Sequence, residues 1–338
     1  MREQRVTKTD IETYKNDNAE RVDHLAAVYG WYDDETGRVD SNLSAFFLRE
    51  LESIEAQSYD TKFKLIKYLD HFPTDYSDDE GAETLTYRVF TETGTAKIIA
   101  DYGDDVPRVD LYGEEVSKKV YSLGNMFTYT DREVRRARMA GKPLEQRRAN
   151  AARRAVEQEC NTIAYTGNAT YNIPGFINNA NISEYTIPNG VGGNEEWNTK
   201  TPDEIIADLS GIATSIIDGT NGVEEPDTML LPIEQFNYLN NTRMTGGSDI
   251  NIMQYFLTTN GHIKYVDWVT ELKGAGAGGS DRMMVYAKDR EKLVFKAPME
   301  YRQLAPERRG YGTEILTEKR IAGVTIYYPQ SVAFADNI

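Results

Sequence analysis

At 338 residues the chain has room for one large or two medium domains, taking roughly 100 to 200 residues per domain. Its 40% hydrophobic and 11% aromatic content excludes a disordered or membrane-embedded class. The 54 Asp+Glu against 38 Lys+Arg leave a net charge of −16, which opposes nonspecific binding to nucleic acid, because that affinity comes from basic side chains displacing counterions.

The opening MREQRVTKTDIE carries no apolar run of secretory length, and no stretch approaches the ~18 apolar residues of a membrane span. The expectation is a soluble protein made in the cytoplasm. Residues 1–80 hold 10 Lys+Arg against 19 Asp+Glu, a net of −9, and read as an extended acidic arm with one helix around AFFLRELESIEAQ. The run DYSDDEG closes that arm as a solvated loop.

Two strand-like pieces follow, TLTYRVF and EEVSKKVY, in which apolar and polar residues alternate. Such a ribbon is too polar to be buried on either face, and two strands alone are marginal in water, so it needs a neighbour to lie on. Thr130 and Glu133 then have capping-box spacing and start a helix. Gly141, Lys142 and Pro143 should break it, after which Ala152, Val156, Cys160 and Ile163 recur at helical spacing up to Gly167.

In the second half, TPDEIIADLSGIATSIID, IEQFNYLN and DINIMQYFLTTNG read as helices. The segments TMLLP, HIKYVDWV, MMVYA and KLVFKA read as strands, and RIAGVTIYYPQSVAFAD as a strand pair. Helices interleaved with strands argue for an α+β fold.

Enzyme signals are poor. His24, His71 and His262 stand apart without metal-ligand spacing and read as surface or loop residues. The lone Cys160 reads as a buried structural thiol. GAGAGGS, residues 274–280, lacks the Gly-Lys-Ser/Thr ending of a phosphate loop and reads as a mobile connection. Asp101, Asp104 and Asp105 lack calcium-loop spacing and read as solvated charges. No catalytic, metal or cofactor residue is assigned.

The strongest anomaly is basic. Residues 131–160 hold Arg132, Arg135, Arg136, Arg138, Lys142, Arg147, Arg148, Arg153 and Arg154, a net of +4 inside an acidic chain. A nucleic-acid surface would interleave aromatics on one basic face, and none intervenes here. Arginine also suits forked pairing with carboxylates. Contact with other copies of the chain is therefore read first, and contact with cargo second.

The order of segments resembles the major capsid proteins of tailed bacteriophages. It is carried by the acidic arm, the charged ribbon, VYSLGNMFTYTDREVRRARMAGKPLEQRRANAARRAVEQECNTIAYTG leading into IPGFINN, and the final RIAGVTIYYPQSVAFADNI. The resemblance covers roughly residues 45–338 and implies the α+β shell fold shared by phage capsids and encapsulins. It divides the chain into an arm (1–79), an extended loop (80–120), a peripheral domain (121–199) with a spine helix at 130–166, an axial domain (200–300) and return strands (301–338). It further implies self-assembly into pentamers and hexamers of an icosahedral shell around double-stranded DNA, in a virion, with scaffold, portal and decoration proteins as candidate partners. Expected intersubunit contacts are Arg88, Lys97, Asp101, Arg108, Lys118 and Lys119 in the loop, while Arg135, Arg136, Arg147, Arg148, Arg153, Arg154 and Val156 in the spine helix are expected to face either a neighbour or the interior. Some relatives join subunits through a loop lysine; no partner asparagine is identified here, and no crosslink is predicted. The alternatives are a bacterial nanocompartment shell and, from another class, a hydrolase using Asp101, Asp104 or Asp105.

Overall fold

The computed structural model describes residues 64–98, 107–139, 144–244 and 249–338. The acidic arm before residue 64, His24, Asp101, Asp104, Asp105 and the Gly141–Pro143 break lie outside the described residues.

A short helix α1 (Tyr68–His71) and strand β1 (Thr74–Asp75) lead into a two-stranded antiparallel ribbon, β2 (Thr84–Thr93) and β3 (Asp110–Lys119). Its register runs from Thr84 opposite Lys119 to Thr93 opposite Asp110, extending both strands read from the sequence toward the tip. The chain turns at once into β4 (Tyr121–Thr130), where Leu123, Asn125 and Phe127 face inward and Ser122, Gly124 and Met126 face out. The capping box then forms as its spacing predicts: Thr130 N donates to Glu133 Oε2 at 3.0 Å and Glu133 N to Thr130 Oγ1 at 3.3 Å. It opens α2 (Asp131–Met139), which precedes the 22-residue α3 (Leu144–Tyr165).

One face of α3 is the floor of a core, with Val156, Cys160, Ile163 and Ala164 all buried. Gly167, just past its end, has φ +70°, and a Cβ there would run into the backbone of Ile173 and Gly175. The chain then crosses β5 (Gly167–Asn168), β6 (Ile173–Pro174) and β7 (Ser183–Glu184).

The second half follows its predicted pattern: α4 (Pro202–Gly219), β8 (Thr228–Leu231), α5 (Ile233–Asn241), α6 (Ile252–Thr259) and β9 (Tyr265–Trp268). After these come β10 (Arg282–Tyr286), β11 (Leu293–Lys296), β12 (Met299–Gln303), β13 (Glu307–Arg309), β14 (Gly312–Ile321), β15 (Gly323–Ile326) and β16 (Val332–Asp336). β14 pairs along its full length with β4, and β12 and β13 line its other edge. A five-stranded sheet runs β7-β16-β10-β8-β9, and a smaller one β1-β11-β15.

Three sequence readings are corrected. RIAGVTIYYPQSVAFAD is not a strand pair: β15 joins β11, while β16 crosses to β10 and β7, because the turn at Pro329 carries the chain to another sheet. The glycine segment is tied down, with Gly274 N donating to Asp281 Oδ1 and Ala277 N to Asp336 Oδ2, both at 2.8 Å. His71 is buried at 2% exposure, its ring bonded to Tyr165 and Asp267.

Two apolar cores result. One gathers around α3, with Phe72, Phe176, Tyr286 and Phe295; the other around α4, with Leu209, Ile212, Phe256 and Met283. Buried ionic contacts clamp both. Lys200 Nζ sits 2.6 Å from Asp208 with almost no exposure of either side chain. Asp75 is held by Lys296, Ser77 and Arg290; burial alone would raise its pKa, and these bonds overcome that and pull it well below the usual carboxylate range.

Candidate self-assembly surface

The ribbon is rooted in the body at one end, and its outer part is exposed among the described residues. At its root the Tyr87 ring meets Tyr327 edge-on at 5.0 Å, Lys118 Nζ donates to Val324 O at 2.8 Å, and Val120 is buried. Burial lowers the Lys118 pKa to about 8. Toward the tip both faces are open. On one lie Phe90, Glu92 and Leu111; on the other Asp110, Tyr112 and Glu114. Phe90, Leu111 and Tyr112 are each about 60% exposed, at 59%, 60% and 63%. Among the described residues, no apolar surface of the same chain covers these side chains.

The loop residues singled out from sequence have different surroundings. Arg88 is spent across the ribbon on Glu115, at 2.7 Å and well exposed. Lys97, Arg108 and Lys119 are exposed, Lys118 is turned into the body, and Asp101 lies outside the described residues.

The arginines are also sorted by the fold. Arg148 forks onto Glu133 at 3.1 and 3.2 Å and reaches Thr128 O, joining the start of α2 to α3 and β4. That guanidinium, with the Thr130 cap, holds the Glu133 carboxyl down to about 2. Arg153 lies over the Tyr301 ring at 5.9 Å, and Arg147 and Arg154 are exposed on α3. Arg135 reaches back to Asp131 O at 3.2 Å, and Arg136 is exposed. Val156, grouped with them from sequence, is only 4% exposed and belongs to the core of its own chain, so no neighbour can reach it.

Two contributors escaped the sequence reading. Tyr311, in the Arg309–Gly312 turn between β13 and β14, is 90% exposed and lies beside the start of α2, where Asp131 N donates to Tyr311 O at 3.2 Å. Arg308 pairs with the same Asp131 at 2.6 Å. The segment RRGYG carried a turn signal, but its place beside α2 depends on the long β4–β14 pairing.

Among the described residues, no group of three or more His, Cys, Asp or Glu side chains is arranged to hold a metal ion, and no helix is long and apolar enough to cross a membrane. A cleft of 870 Å³ lies between Trp197, Gln235, Tyr238 and Asp281, among others. Its carboxylates are committed: Asp281 to Gln235 and Gly274, Glu234 to Lys273, Glu195 to Asn337. Cys160 is fully buried, and burial pushes its thiol up to about 12, which keeps it unreactive.

Residues 94–338 match the family model described as major capsid protein. No curated protein sequence matches the chain. Among solved structures the chain is similar to the capsid of the Myoviridae phage XM1, with a TM-score of 0.73 and 15% identity over 86% of this chain and 98% of that one. It is similar also to the capsid of a native GTA particle, with a TM-score of 0.62 and 8% identity over 88% of this chain and 98% of that one. A structure from Mycobacterium phage Bobi aligns with a TM-score of 0.58 and 14% identity over 84% of this chain and 94% of that one.

Proposed function

The chain belongs to the major capsid protein family, the shell-forming proteins of tailed-phage heads, and we propose that the ribbon and the arginine-bearing helices are the surfaces through which its copies close an icosahedral head. In this reading copies gather as pentamers and hexamers around double-stranded DNA, and the protein resides in the virion. Residues 80–120 reach a neighbour, residues 121–199 and 301–338 form the peripheral domain, and residues 200–300 form the axial domain. Scaffold, portal and decoration proteins are further partners of such a head.

The observation that carries this reading is the ribbon itself. Ten paired residues on each strand leave the body, and their outer part exposes apolar side chains on both faces. A second copy supplies the missing surface. Multiplicity provides the driving force: each contact contributes moderately, and a closed symmetric shell repeats it many times. With a net charge of −16 per chain, closure relies on buried area and local ion pairs, and the DNA is held by confinement more than by attraction.

Electron microscopy of the expressed full chain tests the reading. Closed particles are expected. A chain that stays monomeric at every concentration and salt tried would overturn it.

A further inference from the structure

We infer that the ribbon face bearing Asp110, Tyr112 and Glu114 in one subunit seats on the face of α2 bearing Arg132, Arg136 and Met139 in a second copy, beside Tyr311. The inference rests on the shell reading above and names the two surfaces that meet.

The receiving surface is the outer face of a helix that lies at the edge of the body. No side chain of α2 is fully buried; Glu133, Val134 and Ala137 are half-buried on its inner side, and Arg132, Arg135, Arg136 and Met139 are left exposed on the outer one. Arg132, Arg136 and Met139 share one stripe, by their spacing of four and three residues. Met139 is 94% exposed, and Arg132 and Arg136 have no ion-pair partner among the described residues. The Tyr311 turn is fastened beside this stripe by the Asp131 contacts already described, so its ring is held outward on a fixed support.

Arginine, methionine and tyrosine together, without lysine, are the side chains enriched at the centre of protein contacts. Duplex DNA would engage the guanidiniums, but it offers no apolar partner to Met139 and no unstacked base to Tyr311. The composition therefore favours a protein partner that is both acidic and apolar.

The ribbon tip has that chemistry. Asp110, Tyr112 and Glu114 alternate on one face of β3, and neither acid has an ion-pair partner among the described residues. Asp110 and Glu114 lie about 14 Å apart at strand rise and Arg132 and Arg136 about 6 Å apart at helix rise, a difference that the long arginine side chains span by splaying outward, with the tyrosine between them. Within one chain the ribbon root is pinned at Tyr327 and Val324, and no hydrogen bond or ion pair joins tip to α2 among the described residues. The partner is a second copy.

Charge exchange tests this. Arg132→Glu with Arg136→Glu, and separately Asp110→Arg with Glu114→Arg, should each lower the yield of closed particles at least tenfold while leaving the melting temperature of the unassembled chain unchanged. The four substitutions together should restore particles. As a second measurement, Tyr112→Cys with Met139→Cys should give disulfide-linked subunits in assembled particles, with buried Cys160 silent. Normal assembly by either double variant, no restoration by the combination, or no disulfide in closed particles would overturn the inference. Normal assembly of the arginine variant with reduced DNA content would overturn it in favour of a nucleic-acid face. A wild-type chain that never assembles would instead defeat the shell reading on which all of this stands.

Discussion

Lys319 Nζ lies 2.9 Å from Glu157 Oε1, fastening the far end of β14 to the long helix α3. Lys319 also donates to Tyr68 OH at 3.0 Å, and Tyr68 OH bonds Glu157, so one ammonium holds α1, α3 and β14 together. The lysine side chain is 3% exposed and the glutamate 16%. Removing one partner of such a pair leaves the other charge stranded. Lys319→Met alone should lower stability by about 3–5 kcal/mol, and Lys319→Met with Glu157→Leu should recover most of that. Urea unfolding of the two variants checks it.

Val156 sits in the α3 core, where a carboxylate would have neither water nor a partner. Val156→Asp should cost about 4 kcal/mol or more, whereas Val156→Ala should cost only about 2 kcal/mol. The aspartate variant should therefore fail as insoluble chain and not as soluble, folded monomer. Its solubility and circular dichroism distinguish the two.

His71 predicts a pH dependence. Burial lowers its pKa below the ordinary value, against the opposing hydrogen bond that its Nε2 donates to Asp267, and its ring also meets Tyr165 OH at 2.5 Å. With the folded-state pKa depressed, its contribution is fully present above the unfolded value of about 6.5. It is lost as pH falls below that value, because only the unfolded chain then takes the proton. The melting temperature should be level between about pH 7 and 8, below the range where Lys118 titrates, and decline from about pH 6.5 downward. His71→Gln should flatten that part of the profile.

Gly167 closes α3 in a left-handed conformation at φ +70°. An alanine there meets both the conformational cost of about 1–2 kcal/mol and the backbone of Ile173 and Gly175. Gly167→Ala should lower the melting temperature clearly, while the same change at exposed Gly219, which has open space around it, should cost far less.

What could be read from sequence divides along the reach of the interactions. The Thr130–Glu133 cap, the α3 stripe of Val156, Cys160 and Ile163, and the helices of the second half depend on neighbours a few residues apart, and all are found. The longest strand pairing outside the ribbon, β4 with β14, joins residues almost two hundred positions apart. Its inward row of Leu123, Asn125 and Phe127 has one polar member, which weakened the alternation. Asn125 is there to bond Ala152 O on α3 and Thr317 on β14. His71 was misread for the same reason, since its partners Tyr165 and Asp267 lie far along the chain. At the candidate surface, the charges of the ribbon and α2 were visible in sequence, while Tyr311 became relevant only when β14 brought it beside α2.

The five-stranded sheet has a mechanical consequence. Along β10, Met283 and Val285 point into one core and Met284 and Tyr286 into the other, and β8 divides its residues the same way. With a single partition filled from both sides, there is no slack layer at which the two halves can slip. A load on one core is therefore passed through the shared strands to the other, and the two cores move together.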